Sequence, residues 1–146
     1  MKEIFNIIST LIYILVGIIC LLMAYKSMSS KKYLPFHEEA AGKSWDSIDK
    51  PLQNVVLTIL RISGLGFFIV FLFLVVFPSV NYFKPNPFIK YSIPIISSIY
   101  CFGLFLFNFL LFKQTKAKTP WIGSLIALFL ILISFVISII WLEIPK

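Results

Sequence analysis

The chain has 146 residues, of which 60% are hydrophobic and only 13% are charged. Soluble globular domains average about 45–50% apolar and about 25% charged residues, so this composition excludes a water-soluble fold. The formal net charge of +7 does not indicate a nucleic-acid partner, because the basic residues flank long apolar runs and form no patch beside solvent-facing aromatic side chains.

Four apolar runs predict four membrane-spanning helices, at residues 5–25, 55–77, 91–112 and 121–142. A helix rises about 1.5 Å per residue, so runs of this length cross a hydrocarbon core of about 30 Å. A spanning strand would need only about 9–11 residues. The sequence therefore predicts an all-α fold. We expect a four-helix transmembrane bundle that forms one domain over residues 1–146, with a short helical cytoplasmic loop between the first two spanning helices.

The first run is predicted to be a permanent helix rather than a cleaved signal peptide. The apolar region of a signal peptide usually has about 7–15 residues, and this run is longer. The residues directly before Cys20 are Gly17-Ile18-Ile19, which lack the small residue that a lipoprotein cleavage site needs at its last position. Three lysines follow the run, as in a stop-transfer flank: Lys26, Lys31 and Lys32.

Small residues recur at three- and four-residue spacing within the runs. Examples are Gly17 in the first run, Gly64 in the second, Gly103 in the third, and Gly123 with Ser134 in the fourth. Small side chains let helix backbones approach closely, which is how bundles cohere where lipid provides no hydrophobic drive. We expect these positions to form helix contacts.

Residues 26–54 form the longest connection, and they carry signals for a short helix of their own. Pro35 suits the first position of a helix, and Gly42 suits the residue that ends one. Pro51 indicates the start of the second spanning helix. The aromatic and aliphatic members of this segment predict that it lies against the membrane surface.

The distribution of lysines predicts the orientation. The 26–54 and 113–120 connections share one side, and the N-terminus, the 78–90 connection and the C-terminus share the other. The first side has eight lysines: Lys26, Lys31, Lys32, Lys43, Lys50, Lys113, Lys116 and Lys118. The second has four: Lys2, Lys84, Lys90 and Lys146. The positive-inside rule then predicts a multi-pass cell-membrane protein with both termini outside.

Arg61 is the one cation within a predicted span, about 9 Å along the axis from the start of the second run. A cation at the centre of a bilayer costs roughly 2.5–3.5 kcal/mol, so its position requires a physical reason. One interpretation is that the side chain reaches the cytoplasmic headgroups. The other is an ion pair with a carboxylate of the 26–54 connection, and a role in ligand binding is a further alternative.

The other candidate polar residues are His37, Glu38, Glu39 and Asn108. His37 is the sole histidine and is followed by two glutamates, but the HExxH spacing of a zinc site is absent. The sequence therefore predicts no metal and no cofactor, and leaves general acid–base work by His37 as an alternative to a solvated helix start. Asn108 is expected to hydrogen-bond between helices, about 6 Å from the cytoplasmic end of the third span. These residues and Arg61 form one candidate polar site at the cytoplasmic face.

Several short motifs carry a family resemblance. They are Tyr33-Leu34-Pro35-Phe36-His37-Glu38-Glu39-Ala40, then Trp45, Gln53, Leu60-Arg61-Ile62-Ser63-Gly64-Leu65-Gly66, and Thr119-Pro120-Trp121. The pattern resembles small bacterial integral membrane proteins of uncharacterised activity, and its plan is similar to the four-helix DoxX-like group. The resemblance implies a bacterial inner-membrane location. It carries over no catalytic or cofactor residue.

Two classes of function remain after these steps. The first is a non-enzymatic accessory or structural membrane component. It would lie in the lipid bilayer and bind either a membrane-protein partner or a second copy of the chain. The second is a small-molecule or lipid-handling protein, with or without catalysis, whose site lies around Arg61 and the 26–54 connection. A channel is disfavoured because four short helices offer little pore lining without oligomerisation.

Overall fold

A computed structural model describes the backbone of residues 2–143 and the side chains of residues 4–139. Within that part of the chain the structure is all-helical and contains no strand, which confirms the predicted class. The helices are α1 (Lys2–Met28), α2 (Pro35–Ala41), α3 (Lys50–Phe83), α4 (Pro87–Thr115) and α5 (Trp121–Glu143), with a single 3-10 turn at Trp45–Ser47. Two lysines of the orientation count, Lys2 and Lys146, lie outside the described side chains.

Four of these helices, α1, α3, α4 and α5, are long and apolar enough to cross a membrane. The longest is α3, whose 34 residues extend about 51 Å. A hydrocarbon core measures only about 30 Å, so α3 exceeds it by several turns. The four predicted spans are confirmed as helices of spanning length.

The four long helices pack in a ring, in the order α1, α3, α4, α5. The most extensive interface joins α1 to α3, and α5 closes the ring by packing on both α4 and α1. The interior contains fully buried residues from several helices, including Val16, Leu74 and Ile131. Each helix therefore buries one narrow side and leaves most of its apolar surface facing outward, as expected for a bundle in lipid.

Two glycines explain the close approach of α1 and α3. A Cβ atom added at Gly64 would lie 2.6 Å from Met28 Cγ and 3.1 Å from Ser27 Cβ. One added at Gly17 would lie 2.7 Å from a side-chain atom of Val75. Gly103 and Gly123 have no such neighbour within 4 Å among the described residues, so the prediction that they form helix contacts was wrong. They face outward from the ring.

The α1–α5 interface contains a reciprocal pair of serines. The hydroxyl of Ser9 donates to the Ser134 carbonyl at 3.0 Å, and the hydroxyl of Ser134 donates to the Ser9 carbonyl at 2.9 Å. The two hydroxyl oxygens lie 2.8 Å apart, and both residues are buried. Such hydrogen bonds hold helices together where the surroundings cannot supply water.

The predicted 78–90 connection is much shorter than expected. Helix α3 continues through the buried Pro78 to Phe83, and only residues 84–86 separate it from α4. A proline is tolerated inside a spanning helix when neighbouring groups satisfy the freed backbone, and ending the helix there would leave more backbone groups without partners. Asn86 then begins α4 by accepting hydrogen bonds from the next two available backbone N–H groups, at 2.9 and 3.4 Å.

The two remaining connections lie together at one end of the bundle. They are the α1–α3 loop (residues 29–49) and the α4–α5 turn (residues 116–120). A hydrogen bond of 3.1 Å joins them, donated by the backbone N–H of Lys118 to Glu39 Oε2. We call this end the loop end; the residues 84–86 lie at the other end.

Candidate functional site

The α1–α3 loop is organised around α2, whose two ends follow from its sequence. Pro35 occupies the first helical position, where its missing N–H costs nothing. His37 Nδ1 accepts a hydrogen bond of 3.2 Å from the backbone N–H of Leu34, the residue before the helix. Gly42 ends the helix in the left-handed conformation, with φ of 60° and ψ of 21°. His37 therefore has a structural role in starting α2.

Contacts of Tyr33 hold the loop together, and contacts of Gln53 hold it against the start of α3. The buried ring of Tyr33 packs edge-to-face on Trp45 with centroids 5.0 Å apart, and its hydroxyl donates to the Lys43 carbonyl. The side-chain amide of Gln53 donates to the carbonyls of Trp45 and Ile48, at 3.0 and 3.2 Å. The loop is thus a folded cover that is hydrogen-bonded to the helix beneath it.

Between this cover and α3 lies a cavity of about 390 Å³. Its volume is in the range of small-molecule sites in proteins. The loop contributes one wall, made of Tyr33, His37, Ala41, Lys43 and Ile48. Helix α3 contributes the other, made of Leu52, Val56, Ile59, Leu60 and Ser63. The lining is predominantly apolar, with its polar groups concentrated on the loop wall.

The polar side chains of the lining that are not already bonded to the loop backbone through a hydroxyl are His37 and Lys43 on the loop wall and Ser63 at the far end of the α3 wall. His37 is half-buried, and burial lowers the pKa of its imidazole because the charged form loses hydration. Since Nδ1 accepts a hydrogen bond, the neutral ring carries its proton on Nε2. The lining therefore combines a neutral imidazole and an exposed lysine with an apolar wall.

The structure separates Arg61 from this cavity. The α3 residues that line the cavity form one row along the helix, and Arg61 lies about 155° around the axis from the centre of that row. Its side chain is exposed, and among the described residues no carboxylate lies within 4.0 Å of it. The predicted alternative of an ion pair with the α1–α3 loop is thus absent from the described part of the chain.

The remaining predicted site residues are also dispersed. Glu38 is exposed, and Glu39 bonds to the α4–α5 turn rather than to the cavity. The amide of Asn108 donates to the Leu104 carbonyl of its own helix at 2.8 Å, so its side chain does not make the predicted hydrogen bond between helices within the described residues. The backbone carbonyl of Asn108 accepts from the Thr119 hydroxyl at 2.8 Å, which supports the α4–α5 turn.

Of the five residues that the sequence suggested, His37 is the one that lines the cavity in the described structure. Sequence reasoning missed the row on α3, although its members recur at three- and four-residue spacing. That signal is hidden because a lipid-facing helix has apolar residues on every side. Among the described residues no group of three or more His, Cys, Asp or Glu side chains could hold a metal ion.

A second cavity, of about 300 Å³, lies at the opposite end of the bundle. Its lining combines Asn6, Asn81, Asn86, Lys90 and Tyr91 with two prolines. The ammonium group of Lys90 donates to the Ser138 carbonyl at 2.7 Å, and Asn81 Oδ1 accepts from the backbone N–H of Asn86 at 2.8 Å. The structure thus places a group of polar side chains at this end of the bundle.

Comparisons with known proteins were made for the whole chain. No protein-family model matches it. No curated protein and no solved structure matches it either. The cavity beneath the α1–α3 loop is therefore interpreted from its own geometry.

Proposed function

We propose that the protein is a multi-pass integral membrane protein that binds one apolar chain in the cavity beneath the α1–α3 loop, as a binding component rather than a catalyst. The observation that carries the proposal is the cavity itself. Its α3 wall is apolar over four successive lining positions before Ser63, and its polar groups lie on the opposite wall. Such a lining favours an apolar ligand held by few polar contacts.

The position of the cavity supports a ligand that arrives from the bilayer. Ile59, in the middle of the α3 wall, leaves 61% of its side-chain surface exposed, and Leu52 leaves 46% exposed. These side chains line the cavity and at the same time face the surroundings of the bundle. An apolar molecule dissolved in lipid could therefore enter sideways without crossing a polar barrier.

The lysine distribution supports an orientation with the loop end in the cytoplasm and both termini outside. In the sequence, eight lysines lie in the 26–54 and 113–120 segments, against four in the N-terminal, 78–90 and C-terminal segments. A bacterial inner-membrane location and a DoxX-like plan are proposed from the loop and span motifs alone. A role as an accessory subunit, with a protein partner or a second copy, also stays a prediction, and it is compatible with ligand binding.

The test uses the full chain in phosphatidylcholine nanodiscs with a phosphatidylcholine probe that carries a photoactivatable diazirine on its acyl chain. We expect labelling on peptides that cover residues 33–63. Ile59→Trp fills the cavity and should lower this labelling. Leu65→Trp is the matched control, because Leu65 is 50% exposed and lies about 165° around α3 from the cavity row. Equal labelling of the two variants would contradict the proposal.

A further inference from the structure

We infer that the ligand of this cavity is an anionic phospholipid, with one acyl chain along α3 and its phosphate beside Lys43. The inference rests on the proposed function and adds the chemistry of the headgroup. It depends on three features of the cavity: its direction, the change of its polarity along that direction, and its charge.

The cavity runs along the helix axis in the direction that a lipid chain takes. Its α3 wall extends from Leu52 to Ser63, about 16 Å along the axis. Leu52 is two residues from the start of α3, at the loop end, while Ser63 lies well inside the span. An acyl chain that follows this row would therefore lie parallel to a spanning helix, as the chains of the surrounding bilayer do.

The polarity of the cavity changes along the same direction. His37 and Lys43 lie on the loop wall, next to the end of the bundle where headgroups are expected. Val56 and Ile59 lie further along α3 and present only hydrocarbon. A phospholipid has the same order of groups, with a polar head at the surface and apolar chains beneath it. A ligand without a polar group would leave the polar side chains of the loop wall without a partner.

The charge of the lining selects the headgroup. Lys43 is the only formally charged residue that lines the cavity in the described structure, and His37 is neutral when unprotonated. The hydroxyl of Tyr33 donates to the Lys43 carbonyl, which fixes the backbone of Lys43 at the rim. Of the loop carboxylates, Glu39 is directed to the α4–α5 turn. Glu38 and Asp46 do not line the cavity, although their charges add to the effect of burial in raising the pKa of Tyr33. A cation at the mouth of an apolar cavity attracts an anionic headgroup over a zwitterionic one.

The experiment compares two probes on the full chain in phosphatidylcholine nanodiscs. One is phosphatidylglycerol with an acyl-chain diazirine, and the other is phosphatidylcholine with the same chain. A lysine near the surface should favour the anionic probe by about fivefold in labelling of residues 33–63. Lys43→Gln should reduce this ratio to about one. Lys50→Gln, an exposed loop-end lysine outside the cavity lining, is the matched control and should leave the ratio unchanged.

The outcomes separate the two proposals. A ratio near one in the unsubstituted protein, or a ratio that Lys43→Gln does not change, overturns the headgroup inference. The proposed function still stands in that case if Ile59→Trp lowers labelling by both probes. If Ile59→Trp lowers labelling by neither probe, the cavity does not hold an acyl chain and both proposals fail. Circular dichroism and gel filtration of each variant verify that the bundle is intact.

Discussion

Glu39 Oε2 accepts a hydrogen bond of 3.1 Å from the backbone N–H of Lys118, and 79 residues of sequence separate the two. The bond joins α2 to the turn between α4 and α5, so the cover of the cavity is attached to the far side of the ring. A carboxylate that accepts from a backbone N–H forms a stronger bond than a neutral acceptor does. The loop end is therefore held as one unit by a contact between its two connections.

Removal of this contact should loosen the loop end. We expect Glu39→Ala to lower the free energy of unfolding by about 1 kcal/mol, the typical contribution of one hydrogen bond, and Glu39→Gln to lower it less because an amide oxygen still accepts. Denaturant unfolding in detergent micelles measures the difference. Glu38→Ala serves as the control, because Glu38 is exposed and its side chain has no bonded partner among the described residues. If Glu38→Ala and Glu39→Ala lowered the free energy of unfolding equally, the Glu39–Lys118 hydrogen bond would not contribute to stability.

The serine pair between α1 and α5 makes a prediction about coupling. Ser9→Ala or Ser134→Ala alone removes one hydroxyl, its hydrogen bond to the other residue's backbone carbonyl and the contact between the two hydroxyls, so each should cost about 0.6–1.7 kcal/mol. The double variant should cost less than the sum of the two, because both hydroxyls are then absent. A double-mutant cycle by denaturant unfolding measures the coupling. Strict additivity would contradict the contact between the two hydroxyls, which is the one contact that needs both side chains.

Substitution of Gly64 and of Gly123 by alanine should change the stability of the bundle in opposite directions. At Gly64 the new methyl group would meet Ser27 Cβ at 3.1 Å and the Ala24 carbonyl oxygen at 3.2 Å, so α1 and α3 must separate slightly. We expect a loss of about 1–3 kcal/mol, typical of overpacking. At Gly123 nothing among the described residues lies within 4 Å, and Gly123→Ala should stabilise by up to about 1 kcal/mol through helix propensity. Thermal unfolding of the two variants in the same detergent tests both signs.

His37 makes the stability of the loop depend on pH. Its pKa in the folded protein is lowered by burial, so the folded state favours the neutral ring. The neutral His37 ring therefore makes its full contribution to the free energy of unfolding above the unfolded pKa of about 6.5. This contribution decreases as the pH falls from there towards the lower pKa of the folded state. Protonation also removes the acceptor for the Leu34 N–H.

The matched variant for this prediction is His37→Asn, which keeps an acceptor near the Leu34 N–H but cannot titrate. We expect the melting temperature of the unsubstituted protein to fall more than that of His37→Asn between about pH 7.5 and pH 5.5. Carboxylates that titrate in both proteins cancel in this comparison. Parallel pH profiles would show that His37 does not link protonation to folding.

Arg61 should show no energetic coupling to the loop glutamates. Its row on α3 faces away from the cavity, and within the described residues no carboxylate is paired with it. In double-mutant cycles of Arg61→Ala with Glu38→Gln or Glu39→Gln, we expect coupling energies within about 0.3–0.5 kcal/mol of zero, as for independent sites. A coupling above 1 kcal/mol, roughly the level of a contact pair, would restore the ion-pair alternative.

Local signals in the sequence predicted the elements well, and contacts between distant segments explain what they missed. Pro35, Gly42 and Pro51 act within one or two residues of the chain, so the bounds of α2 and the start of α3 could be derived from them. Pro78 has the same chemistry, but its buried place in the bundle lets α3 continue. Sequence alone could not distinguish these two situations.

The candidate site was only partly predictable for a related reason. The loop residue His37 was found because a histidine is conspicuous in an apolar chain. The side of α3 that faces the loop could not be found, because outward-facing residues such as Ile62 and Leu65 are as apolar as those that line the cavity. For the same reason, the sequence did not indicate that Arg61 lies on the side of α3 opposite to the residues that line the cavity.

The length of α3 has a consequence for how the protein responds to its membrane. A helix of about 51 Å in a hydrocarbon core of about 30 Å must tilt or extend past the headgroups. Because α3 also forms one wall of the cavity, a thinner or thicker bilayer changes the depth at which that wall meets the lipid surface. If the cavity binds an acyl chain as we propose, bilayers of different chain length should change its occupancy even when the headgroups are the same.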